Sequence, residues 1–156
     1  MGGLMKKCEM TEEDIKLQFI TPAIEAAGWD RQRQIKMEYS FTDGRVIVRG
    51  NVTARGKRKK ADYLLYYKPN LPLAIVEAKD NNHSLGAGMQ QGIEYAEILD
   101  IRFVYSSNGD GFLEHDMKSG TERELTIEQL PSPEELWQRY IGGDHITPEQ
   151  EELITE

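Results

Sequence analysis

The chain has 156 residues, 38% of them hydrophobic and 29% charged, which suits one globular domain with a real core and excludes two comfortable ones. No apolar run approaches the ~20 residues a membrane helix needs, and the start MGGLMKKCEM has no signal-peptide core. With Cys8 as its single cysteine, the chain has no internal disulfide and is expected in a reducing cytoplasm, away from membranes.

Residues 1–10 are expected to be a disordered, tag-like N-terminus. Thr11 to Gly28 reads as a helix, with Thr11 as N-cap and Glu12, Glu13 and Asp14 suiting the first-turn dipole. Ile15, Phe19, Ile20, Ala23, Ile24 and Ala27 form one apolar stripe, and Gly28 supplies the stop. Pro22 removes a backbone bond to Gln18 and is expected to kink or split the helix. Glu12, three residues before Ile15 and seven before Phe19, lies on the core-facing stripe.

Ile35 to Phe41 and Val46 to Ala54 read as strands around the hairpin signal Asp43-Gly44. Charge concentrates here. Asp30 to Lys60 holds ten bases and three acids, whereas Pro131 to Glu156 holds seven acids and one base, within a net charge of −8. The densest basic part, Arg55-Gly56-Lys57-Arg58-Lys59-Lys60, is read as a loop leading directly to Asp62. Such a run is often a solvated surface. Beside an acidic site it is also what holds a phosphodiester backbone.

Tyr63 to Tyr67 and Leu73 to Ala78 are the next expected strands. Leu73-Ala74-Ile75-Val76 is apolar on both faces, as in a central strand covered on both sides. With period two, Leu73, Ile75, Glu77 and Lys79 share one face, and Asp62 shares a face with Leu64 and Tyr66. An apolar face that ends in an acid and a lysine is unusual, because charged groups are rarely buried unless paired or metal-bound. A helix is expected from about Ser84 to Leu99, with Gln91 and Tyr95 on one face and Gly86-Ala87-Gly88 as a close-approach point. Gln91 stands where a GxGxxG fingerprint needs glycine, and no GxxxxGK[ST] occurs, so the chain carries no phosphate loop. Arg102 to Ser106 and Gly111 to Asp116 are strands split by the turn Asn108-Gly109-Asp110-Gly111. Pro131-Ser132-Pro133 is expected to end the compact part at about residue 130. Residues 131–156 then form a short helix, Glu134 to Tyr140, and an acidic linker. The whole reads as an α/β (α+β) fold.

Asp62 and Glu77 offer the hard oxygen ligands that Mg²⁺ and Mn²⁺ prefer, and the Ala78 carbonyl between Glu77 and Lys79 offers a third. Lys79 is placed to orient a water or neutralise developing phosphorane charge. E-x-K is a common tripeptide, and a strand-end salt bridge is the bland reading of it. The conjunction carries more weight: an acid on one strand, E-x-K closing a buried strand, a basic run upstream, and a helix downstream with two polar groups on one face.

Asp62 with Glu77-Ala78-Lys79 resembles the PD-(D/E)xK nuclease core, with Ala61 in place of the nominal proline. Gln91-x-x-x-Tyr95 is similar to the Q-x-x-x-Y motif of its RecB-like branch. Thr11-Glu12 opens a helix ending Ala27-Gly28-Trp29. With Lys60-Ala61-Asp62-Tyr63-Leu64-Leu65, Pro72 to Lys79, Gln91 to Ala96 and Ser107-Asn108-Gly109, it resembles the N-terminal nuclease domain of the restriction (R) subunit of type I restriction–modification enzymes, over roughly Thr11 to Tyr140.

The resemblance implies a restriction-endonuclease-like core, a central mixed β-sheet flanked by helices. It implies Mg²⁺-dependent cleavage of double-stranded DNA, with Mn²⁺ as substitute, in a complex with modification and specificity subunits. ATP would enter only through motor domains not found in this chain. Asp62 and Glu77 would bind metal with Ala78, Lys79 would assist water, and Glu12 would be an accessory acid. Gln91 and Tyr95 would contact DNA or brace the site, beside the basic residues Arg55, Lys57, Arg58, Lys59 and Lys60. A non-cleaving DNA-binding or docking module of the same fold is the alternative. A Holliday-junction resolvase would require a stable dimer.

Overall fold

The computed structural model describes residues 6–42 and 57–142. Six strands form one sheet in the order β1-β2-β3-β4-β5-β6. They are β1 (Ile35–Thr42), β2 (Arg58–Lys68), β3 (Leu71–Ala78), β4 (Phe103–Ser107), β5 (Gly111–Asp116) and β6 (Glu122–Thr126). Neighbours are antiparallel except β3 and β4, which run parallel. That parallel pair is joined by a helix crossover through α3 (Met89–Leu99), because a tight turn cannot connect parallel strands. The sheet is therefore mixed and carries helices on both faces, as expected.

The first helix begins as α1 (Glu12–Ile15), with a reciprocal capping box between Thr11 and Asp14. It continues as a π-helical turn, Lys16–Ile20, and then as α2 (Thr21–Ala26). The π turn is where the chain absorbs Pro22: the proline falls in the first turn of α2, where its missing N–H costs little. Ile15, Ile20 and Ile24 are buried, and Gly28 ends the helix at φ +112°. These helices pack on one face against Tyr63, Leu65, Val76, Phe103 and Tyr105. On the other face α3 packs Met89, Tyr95 and Ala96 against Leu64, Ile75 and Val104.

Several expectations change. The strand expected over Val46 to Ala54 and the Asp43-Gly44 turn lie outside the described residues. Arg58, Lys59 and Lys60 are not a loop: they begin β2 and pair with Thr42, Phe41 and Ser40. Leu73 does not share the face of Ile75, because the β2–β3 register shifts between Leu65 and Tyr66, and Leu73 enters the first core beside Ala74. The third helix starts at Met89 rather than Ser84, after a stretch of turns. β6 was not anticipated; only Leu125 in it is buried, so it carries no apolar alternation. The compact part does not end at Pro131: α4 (Pro133–Gly142) sends Leu136, Trp137 and Ile141 into the first core, with Trp137 stacked on Tyr67 at 4.7 Å between ring centroids. Trp29 also packs inside and donates to the Pro131 carbonyl at 2.9 Å. Among the described residues no helix is long and apolar enough to cross a membrane.

Candidate active site

The β2–β3 ladder is regular from Leu65 and Ala74 to Tyr63 and Val76. One residue further the two strands exchange side-chain bonds instead. The Asp62 N–H donates to Glu77 Oε2 at 3.0 Å, and the Ala78 N–H donates to Asp62 Oδ2 at 2.8 Å. β3 remains paired with β4 through Glu77 with Ser106 and Ala78 with Ser107, and the Lys79 N–H reaches the Ser107 carbonyl at 2.9 Å. Asp62 and Glu77 thus stand where β2 and β3 part while the rest of the sheet continues. An orphaned backbone N–H in this position must find an acceptor, and each carboxylate supplies one to the other's strand.

Glu77 is 2% exposed. Burial, and then the negative charge of Asp62, push its pKa up to about 8, against the pull of the Asp62 N–H and Lys79. Its side chain lies against α3: a Cβ on Gly88 would stand 3.1 Å from Glu77 Cβ, and one on Gly92 would stand 3.5 Å from Glu77 Cγ and 2.6 Å from Val104 Cγ1. The expected close approach at Gly86-Ala87-Gly88 is present and extends to Gly92, so glycine lets α3 close over the acid.

Glu12, half-buried at the start of α1, also has a raised pKa, from burial first and then from Asp62, with Lys79 opposing. The structure therefore brings Asp62, Glu77, Glu12 and Lys79 into one electrostatic neighbourhood. Among the described residues the Lys79 ammonium forms no ion pair. Gln91 and Tyr95 pair with each other, the Gln91 amide donating to the Tyr95 hydroxyl at 2.5 Å. Tyr95 is buried in the second core, edge-on to Phe41 at 5.0 Å between centroids, whereas Gln91 is exposed. Lys57, Arg58 and Lys60 are exposed on or just before β2, and Lys60 stands two residues from Asp62. Arg55 lies outside the described residues.

Two residues were missed by sequence reasoning. Lys16, on the π turn, is 1% exposed. Its ammonium lies 3.1 Å from Glu38 Oε1, 3.3 Å from Asp62 Oδ1 and 3.5 Å from Glu13 Oε1. Burial alone lowers its pKa, but Asp62, Glu38 and Glu13 outweigh that and raise it, so it stays charged. Glu38 lies in β1 with a left-handed φ of +54°, uncommon outside glycine. The available signal was Lys16 itself, a lysine four residues after Glu12 on the same helical stripe.

The donor set fits Mg²⁺ or Mn²⁺ in its chemistry: Asp62 and Glu77 are hard oxygen donors, and Mg²⁺ commonly binds through one or two carboxylates and keeps several waters. Among the described residues no group of three or more His, Cys, Asp or Glu is arranged to hold a metal by itself.

Comparison with known proteins places the chain in a family of restriction-enzyme domains. The family described as the type I restriction enzyme R protein N terminus (HSDR_N) matches residues 28–131. The type I restriction enzyme EcoAI endonuclease subunit of Escherichia coli is 48% identical over 151 residues, covering 94% of this chain and 19% of the relative. A fragment structure assigned to the HsdR subunit of a type I restriction enzyme from Vibrio vulnificus YJ016 superposes with a TM-score of 0.76 at 42% identity, covering 90% of this chain and 27% of that one. The chain belongs to the N-terminal family of type I restriction enzyme R proteins. It spans about a fifth of the length of its curated relative.

Proposed function

We propose that this chain is a Mg²⁺-dependent domain that cleaves double-stranded DNA within a type I restriction enzyme R subunit. ATP-driven translocation falls to other parts of the longer protein, and modification and specificity subunits complete a cytoplasmic complex. The observation that carries this reading is the crossed Asp62–Glu77 pair at the parting of β2 and β3, with Lys79 two residues beyond Glu77. The relative's own description as an endonuclease subunit supports it.

In this reading Asp62, Glu77 and the Ala78 carbonyl would hold a Mg²⁺ ion, which would supply Lewis-acid polarisation of a phosphoryl oxygen and a more acidic water. Lys79 orients the attacking water and offsets charge developing on the phosphoryl group. Glu12 adds negative charge beside the two ligands, so that the pocket favours a divalent cation. Arg55, Lys57, Arg58, Lys59 and Lys60 contact the DNA backbone, where cationic side chains supply affinity without sequence readout. The Gln91–Tyr95 pair fixes the face of α3 that closes on Glu77. The acidic stretch after α4, expected as a linker, lies outside the described residues.

The test is cleavage by the intact enzyme. Asp62→Ala, Glu77→Ala and Lys79→Ala each abolish DNA cleavage and leave ATP hydrolysis in place; unimpaired cleavage by Lys79→Ala removes the role given to that lysine. The second reading, a non-cleaving DNA-binding or docking module, is favoured by the lack of a three-ligand cluster among the described residues. A Mn²⁺-dependent nick in plasmid DNA made by this chain, and lost in Glu77→Ala, decides against it.

A further inference from the structure

Among the described residues, Lys16 is the one buried charge near the acids that this mechanism leaves without a task. A lysine this deeply enclosed is rare unless paired, and three local features converge on it. It sits on a π turn, a type of helical defect frequent at functional sites. Its ammonium is shared among Asp62, Glu38 and Glu13. Glu38, its shortest partner, is held at φ +54° inside a strand, and its other oxygen faces Lys60 at 3.7 Å.

The arrangement at Asp62 is asymmetric. Oδ2 takes the Ala78 N–H at 2.8 Å, while Oδ1 takes the Lys16 ammonium at 3.3 Å. The oxygen that remains for a cation already has one. Lys16 is poorly placed to leave: it is enclosed, anchored by Glu38 at 3.1 Å, and lies 5.7 Å from the centre of the Tyr63 ring. Like charges at such short range repel strongly in a partly buried setting.

We infer that Lys16 is a built-in counter-cation of Asp62 with which a divalent ion must share Oδ1, so that the Lys16–Glu38 pair sets how tightly the acidic site takes metal. Glu38 draws the ammonium away from Asp62 and so favours the metal; Lys16 opposes it. This rests on the reading of Asp62 and Glu77 as a metal site, and it assigns Lys16 and Glu38 as positioning residues acting through Asp62.

The test is Mn²⁺ titration of this chain by calorimetry, with circular dichroism to show that each variant is folded and Asp62→Asn as the control for the site. Lys16→Met, which keeps the stem and removes the charge, tightens Mn²⁺ binding at least tenfold. Lys16→Arg retains the wild-type affinity within about threefold. Glu38→Gln weakens binding several-fold. A purely structural role for the pair predicts weaker binding in both Lys16→Met and Glu38→Gln. Unchanged or weaker binding by Lys16→Met overturns the inference and leaves the metal site standing. If Lys16→Met does not fold, Lys16→Gln takes its place, and unchanged or weaker binding overturns the inference. If neither the wild type nor any variant takes up Mn²⁺ through Asp62, the metal site falls and the inference with it.

Discussion

Two glutamates are buried in this sheet to nearly the same degree, Glu77 at 2% and Glu114 at 3% exposure, and their surroundings are opposite. Glu114, on β5, accepts from the Tyr105 hydroxyl at 2.6 Å, Arg123 Nε at 2.8 Å, and Arg139 Nη1 and Nη2 at 2.9 and 3.1 Å. Burial alone raises its pKa, but hydrogen bonds from Arg139, Arg123 and Tyr105 outweigh that and leave it lowered. Nearby, Arg102 forks onto Asp116 at 2.9 and 3.0 Å and reaches the carbonyls of Arg139 and Tyr140. Every acceptor is answered, and the result fastens α4 to the sheet. Glu77 accepts one backbone N–H, faces a second acid, and has its pKa raised to about 8. A buried acid completed by protein donors is structural. One left facing another acid across a single backbone donor has its pKa raised, and that contrast, more than burial itself, marks Glu77 as a candidate functional group.

The largest expected effect separates the two by function. Glu77→Gln in the intact enzyme lowers DNA cleavage by about a thousandfold or more, the scale set by losing a group that acts in the transition state. A conservative change that weakens the Glu114 clasp, Arg123→Lys, leaves cleavage within a few-fold. Plasmid cleavage by both variants measures the separation.

The next is opposite pH dependence. Glu77 holds its proton in the folded chain up to about pH 8, but in the unfolded chain only to near 4.5. Between these values the folded state binds more protons, so its contribution makes stability fall as pH rises, by on the order of 5 kcal/mol across the window. Glu114 is depressed, so its contribution is present above the unfolded value and lost as pH falls through the folded one. Urea unfolding from pH 5 to 9 shows a downward slope in the wild type that is absent in Glu77→Gln.

Breaking the clasp comes third. Arg139→Ala leaves Glu114 short of two donors and costs about 3 kcal/mol in urea unfolding, while Lys79→Ala, at a lysine with no ion pair among the described residues, changes stability by less than about 1 kcal/mol. The smallest effect is at α3: Tyr95→Phe loses the bond from Gln91 and costs about 1 kcal/mol.

The sequence made Asp62 and Glu77 legible because period-two alternation places charges in otherwise apolar strands. Nothing local marks Glu114 as different from Glu77. Its partners Arg123 and Arg139 come from β6 and α4, one a strand with a single buried residue and the other a helix read as leading away from the core. Lys16 was hidden for another reason. Its neighbours Ile15, Phe19 and Ile20 announce a buried stripe, but the π turn that rotates its side chain under Asp62 follows from Pro22 and from packing on the sheet. Leu73 shows the same limit, since a one-residue bulge changes which face a side chain takes.

The central claim is that Asp62 and Glu77 form a divalent-cation site. Its most direct test is a crystal of this chain soaked in Mn²⁺ above pH 8, where Glu77 is ionised, with anomalous scattering used to find the ion. The account predicts a peak between Asp62 and Glu77, absent in Asp62→Asn. Crystals with no such peak, and with the two carboxylates still holding their crossed backbone bonds, contradict it.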